Sequence, residues 1–184
     1  MKTKIMFLLL AVSFCSTLLA QNEHLKFMGI PLNISVDAFQ KQLEIKGMSR
    51  VPDIDLTKDM PIRQFKGNFS GMPCVISLVY NVKNKIVYKA IVLYASEIED
   101  MNQKFYEDIK NRLMLKYSQQ NMKEDTDNGF PCCYFLVYDS SGAKLIGDIE
   151  LIKMSVISNG TQVGILYEDV ANSLQNEKST IDDL

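Results

Sequence analysis

The chain has little of what most enzymes use. It has a single histidine, His24, and no tryptophan in 184 residues. Histidine is the commonest acid–base group near neutral pH and a frequent metal ligand. With only one, histidine-rich zinc sites lack a ligand set, and Ser-His-Asp chemistry would rest on His24 alone. His24 also falls in a polar lead-in, Gln21–Lys26, and reads as a solvated tail residue. No glycine-rich phosphate loop and no Cys-x-x-Cys pair is present. No basic run is interleaved with aromatics, which excludes a nucleic-acid partner. Four cysteines are too few for a disulfide-dense scaffold. Disorder, collagen and a multi-span membrane protein are excluded by an ordinary composition, with 47% hydrophobic residues.

What is present begins with a secretory signal over Met1–Ala20. Lys2 and Lys4 form a positive start, Ile5–Val12 an apolar run, and cleavage is expected after Ala20. The apolar run is shorter than the roughly 20 residues a spanning helix needs. A less favoured alternative is a lipid anchor on Cys15, disfavoured by the bulky Phe14 before it. Cleavage removes Lys2 and Lys4 and leaves 18 basic against 22 acidic residues. No later segment is apolar enough to cross a membrane. The expected location is periplasmic or secreted.

The remaining chain reads as a single α+β domain over Gln21–Leu174, with Gln175–Leu184 a polar, flexible tail. Ser35 caps a helix carrying Val36, Phe39 and Leu43, closed by Gly47. Val51–Pro61, with two prolines and three aspartates, reads as a loop. Ile62–Phe69, Met72–Asn81 and Lys85–Tyr94 read as three strands joined by short turns, hence an antiparallel meander. A second helix spans Ser96–Tyr117. Its apolar stripe is Ile98, Met101, Phe105, Ile109 and Leu113, and Ser96 with Glu99 fits a capping box. The polar stretch Ser118–Gly129 follows. Three more strands are expected over Phe130–Tyr138, Lys144–Ile157 and Thr161–Tyr167, then a short helix over Glu168–Leu174.

This order suggests an antiparallel sheet with helices on one face, built from two tandem helix-plus-three-strand units at about 35–94 and 96–167. Phe27-Met28-Gly29-Ile30-Pro31-Leu32, Phe39…Leu43…Lys46-Gly47 and Phe65-Lys66-Gly67-Asn68-Phe69-Ser70-Gly71 resemble a family of uncharacterised secreted or periplasmic proteins of Bacteroides-type bacteria. The resemblance implies a cell-envelope setting and carries no catalytic residue. The tandem order is also similar in topology to β-lactamase inhibitor proteins and small outer-membrane assembly lipoproteins, and topology does not fix function.

Few residues could carry chemistry. Cys74, Cys132 and Cys133 allow one disulfide in an oxidising envelope. Strand alternation sends Cys132 and Cys133 to opposite faces, so Cys74 would reach only one of them. Asp53, Asp55 and Asp59, and the cluster Glu124–Gly129, read as solvated turns rather than calcium loops, since the closing glutamate position holds Phe135. No catalytic, metal or cofactor residue is assigned. The favoured function is a non-enzymatic envelope module that binds a protein or small ligand across an exposed sheet face. The competing one is a small envelope hydrolase using paired carboxylates.

Overall fold

A computed structural model describes residues 23–52, 61–127, 129–156 and 160–181. The expected signal Met1–Ala20 and the aspartates 53, 55 and 59 lie outside the described residues. Three helices occur among the described residues: α1 (Val36–Ile45), α2 (Glu99–Tyr117) and α3 (Val170–Ile181).

The strands are β1 (Lys26–Phe27), β2 (Ile30–Pro31), β3 (Ser49–Arg50), β4 (Ile62–Phe69), β5 (Met72–Tyr80) and β6 (Val87–Ala95). β7 (Met122–Asp127), β8 (Phe130–Tyr138), β9 (Leu145–Val156) and β10 (Gly160–Asp169) complete the set. β1 and β2 form a small hairpin. The other eight make one antiparallel sheet in the order β3-β4-β5-β6-β10-β9-β8-β7. α1 therefore precedes four strands, β3–β6, and α2 precedes four, β7–β10. The sequence suggests only three in each case. β3 is two residues long, and β7 hides in a stretch so charged that it reads as a turn.

Hairpin chemistry sets the register locally. Ser70 and Gly71 join β4 to β5 with φ of 53° and 85°, and Phe69 pairs with Met72 across them. Two consecutive positive φ values make the turn whose twist matches paired strands, and glycine takes one of them without steric cost.

Alternation along the strands gives the sheet a covered face. Phe65, Ile76, Leu78, Val92, Tyr94, Phe135, Ile149, Leu151, Val163 and Ile165 are all buried on it. α1 lies on this face: Arg63 donates to Asp37 at 2.7 Å and to Gln40 at 2.8 Å. α2 lies there too. Asn102 donates to the Thr161 carbonyl at 2.9 Å, and Lys153 to Gln103 at 2.9 Å. α2 differs from its expected form at the start. Ile98 is the N-cap and no side chain caps it. Instead Asn102, fully buried inside the helix, accepts from the Ser96 N–H at 3.0 Å and donates to the Ser96 carbonyl at 2.9 Å. Ile98 and Met101 are exposed, and Tyr106 is buried in their place.

α3 departs from the expectation of helices on one face. It runs on through Ile181, where the sequence suggests a flexible tail from Gln175. It contacts β6, β9 and β10 and crosses the strand ends. On one side Asn172 donates to the Leu32 carbonyl at 2.7 Å. On the other, Ser173 donates to Glu168, whose alternation points away from the covered face. Asn81 ties the far end, donating to Asn176 and Ser179 at 3.0 Å each.

The polar lead-in is not a tail. Leu25, Phe27, Ile30 and Leu32 are buried in the main core. His24 Nδ1 sits 2.9 Å from Oδ2 of the fully buried Asp169, which also accepts from the Leu25 N–H at 3.0 Å. The other Asp169 oxygen accepts from the Asn172 N–H at 3.0 Å and so caps α3. One buried carboxylate thus holds both the first strand and the last helix. His24 is correspondingly mostly buried, contrary to the solvated reading.

Candidate functional site

The face opposite α1 and α2 is the candidate site. Pairing registers resolve it into rows that run across the sheet. The central row is Asp125, Cys132, Ile152, Gly164, Leu93, Val75 and Lys66, from β7 to β4. The next row is Lys123, Tyr134, Glu150, Leu166, Ile91, Ser77 and Gln64. Beyond it, beside α3, come Leu136, Asp148, Glu168, Lys89, Val79 and Ile62.

The solvated face of an antiparallel sheet is ordinarily polar. Here the middle is apolar. A side chain grown on Gly164 would meet the Met154 methyl at 2.9 Å, Ile152 at 3.2 Å and Leu93 at 3.8 Å, so these three converge over one glycine. Val75 stays 38% exposed beside them. A depression of about 540 Å³, lined by Gln64, Pro73, Cys74, Val75, Leu93, Ala95 and Gln162, continues the patch toward the β4–β5 turn. Both sheet edges are protected against strand addition: β3 is only two residues long, and β7 carries Lys123, Glu124 and Asp125. The face, rather than an edge, is what this sheet offers a partner.

The acidic side chains of the face are held by position. Glu168 pairs with Lys89 at 2.6 Å and accepts from Ser173. Its cross-strand neighbour Asp148 feels the same Lys89 only as an opposing influence. Burial first, and the Glu168 charge second, push its carboxyl above the ordinary value of 3.8. A raised carboxylate pKa means that the folded state binds the proton more tightly. Stability from Asp148 is thus present below its unfolded value and lost as pH rises through its folded one. Asp148→Asn is expected to raise the melting temperature at pH 7. The gain should vanish below about pH 3.8, where Asp148 is itself protonated; thermal melts across that range check it.

The cysteines do not come together as the sequence allows. Cys74, Cys132 and Cys133 are all free and buried. Cys74 on β5 and the pair on β8 are separated by β6, β10 and β9. Four strand spacings are about 19 Å, far beyond disulfide reach. The expected opposite orientation of the pair holds. Cys133 accepts from Tyr106 on the covered face at 3.9 Å, and Cys132 lies 3.9 Å from Tyr134 on the open one. Burial pushes the Cys74 thiol up to about 11 and raises Cys133 as well. Such thiols are inert. Iodoacetamide on the native protein should leave all three unmodified, and denaturation should release three sites; rapid native labelling would contradict this placement.

Two further cavities adjoin α2. One, of about 350 Å³, lies between Met101, Lys104, Phe105 and Asp108 and the turn residues Ser70 and Met72. The other, of about 1070 Å³, lies between the end of α2 and the β8–β9 loop. Neither contains Asp148 or Glu168. Among the described residues no cluster of His, Cys, Asp or Glu could hold a metal ion, and no helix is long and apolar enough to cross a membrane. Comparison with protein-family models, with curated proteins and with solved structures finds no match for this chain.

Proposed function

We propose that the chain is a secreted, non-enzymatic module of the cell envelope that binds a partner across the open sheet face. The observation that carries this reading is the central row of that face. Val75, Leu93, Gly164 and Ile152 form an apolar strip that no helix among the described residues covers, in a sheet whose edges are guarded. Contiguous apolar surface rimmed by polar residues marks an interaction site. The secretory pattern of Met1–Ala20 supports the location. We also read the domain as two tandem units. Each is a helix followed by four strands, and their last strands, β6 and β10, meet at the middle of the sheet. The mirrored strand order supports this.

The test is capture from an envelope fraction on immobilised protein. Leu93→Lys and Val75→Lys should lower capture about tenfold or more, because each buries an unpaired charge at the centre of the contact. Leu115→Lys, at a highly exposed position on α2, should leave it unchanged. Melting temperatures separate binding loss from unfolding. Equal capture by all three variants would refute the reading.

One observation favours a second reading, an envelope hydrolase with paired carboxylates. Asp148, with its raised pKa, lies directly across the ladder from Glu168, which is ion-paired to Lys89 at 2.6 Å. Two neighbouring carboxyls, one of them raised, are the pairing that glycoside cleavage uses. It ranks second because none of the three cavities encloses the pair. Glycan hydrolysis abolished by Asp148→Asn would promote it.

A further inference from the structure

We infer that the open face is closed in solution by a second copy of this chain, packed face to face about a twofold axis that runs along the strands between β6 and β10. The inference rests on reading the open face as the binding surface and names its occupant.

The distribution of charge about the sheet midline carries it. On the β4–β6 side, the open face bears Lys66 and Lys89 and no carboxylate among the described residues. On the β7–β10 side it bears Asp125, Asp148, Glu150 and Glu168 against Lys123 alone. The face is therefore close to antisymmetric in charge. An isologous contact places residue i on j and j on i. A twofold along the strands lays the basic half of one copy on the acidic half of the other, twice per dimer. A twofold across the strands would set like on like, so the charges select the axis.

The apolar strip agrees with charge. Gly164 and Leu93 are neighbours across the midline. Under this axis Leu93 of one copy falls on the Met154 and Ile152 side chains that cover the partner's Gly164, and Val75 falls over the partner's Ile152, so apolar surface meets apolar surface. Lys66 arrives beside the partner's Asp125, whose own Lys123 is 3.8 Å away in an exposed and weak pair. The twist of each sheet rotates the two copies by about 30° and blurs these pairings without exchanging the halves.

The area is sufficient. Seven strands spaced by about 4.8 Å, with three to four outward residues each, make a patch of about 29 by 24 Å. Two such patches bury on the order of 1,400 Å², within the range of specific interfaces.

The experiment is sedimentation velocity on protein purified after expression of the full chain, from about 1 to 500 μM, which brackets dissociation constants from micromolar to sub-millimolar. The expected result is a mass that doubles with concentration, with dissociation favoured by added salt. Lys66→Glu and Asp125→Lys should each weaken the dimer about tenfold, since each sets like charges together twice. The double variant should regain it. Both positions are exposed, and unchanged melting curves will separate dissociation from unfolding. A monomer at every concentration would overturn the second copy while leaving the open face available to another protein in the capture experiment. A dimer indifferent to both charge reversals would overturn the arrangement.

Discussion

Phe27→Ala is expected to cost about 3–5 kcal/mol of stability, the usual range for emptying a fully buried phenylalanine site. In a domain of this size that is a fall of about 10 °C in melting temperature. The residue follows directly on Lys26, at the edge of what the sequence presents as a polar lead-in. In the fold it has no solvent exposure. Its ring stacks on Phe69 at 5.7 Å and meets Tyr167 at 5.1 Å. It thereby joins the β4–β5 turn to the central strand β10. Neighbours on two separate elements cannot both collapse into the space it would leave, so the cavity term adds to the transfer term. Phe27→Leu keeps most of the volume and should cost less than half as much. Circular dichroism melts of the three proteins test this. A shift below about 2 °C for the alanine variant would mean that the β1–β2 hairpin rests on the core without completing it.

That hairpin marks where the sequence stops being legible. Elements whose signals are local were readable. Ser35 caps α1, and its hydroxyl does accept from Ala38 at 3.3 Å. Ser70-Gly71 makes the tight turn it suggests. Features set by distant pairing were not readable. α2 offers two overlapping apolar stripes, one through Met101 and one through Tyr106, and only the sheet beneath decides between them. The hold of Asn102 on the chain before α2 is completed by Thr161, 59 residues away. β7 is an edge strand, and edge strands carry charge for protection, so Met122–Asp127 lacks the alternation that betrays a buried strand. Asp169 is the clearest case. One carboxylate satisfies His24, Leu25 and Asn172, and no spacing in the sequence connects residues 144 positions apart. The open face was legible as alternation within single strands. It became a site only when β6 was found beside β10, because Leu93 and Gly164 meet across that ladder.

The two glycines that flank this architecture should respond oppositely to the same added methyl group. A Cβ on Gly147 would lie 2.5 Å from the Glu168 carbonyl oxygen and 2.9 Å from two atoms of Leu25. The first is backbone, and it belongs to a ladder in which Gly147 pairs with Asp169 and Asp148 with Glu168. Relieving the clash means parting β9 from β10 at the point where Asp169 holds the N-terminal strand. Gly147→Ala is therefore expected to cost about 3 kcal/mol, at the upper end of the usual overpacking range. A Cβ on Gly164 would also come within 2.9 Å of an atom, but that atom is the Met154 methyl, the end of a flexible side chain on an open face. It can swing away, so Gly164→Ala should stay within about 1 kcal/mol of the parent. Urea denaturation of both variants measures the difference. Combining Gly147→Ala with Leu25→Gly, which removes both Leu25 atoms at 2.9 Å, separates the two contacts. If the side chain of Leu25 supplied the obstruction, the double variant would be less damaged than the two single costs together. If the Glu168 carbonyl supplies it, the costs will add, and the rigidity that fixes the open face will have been traced to the β9–β10 backbone itself.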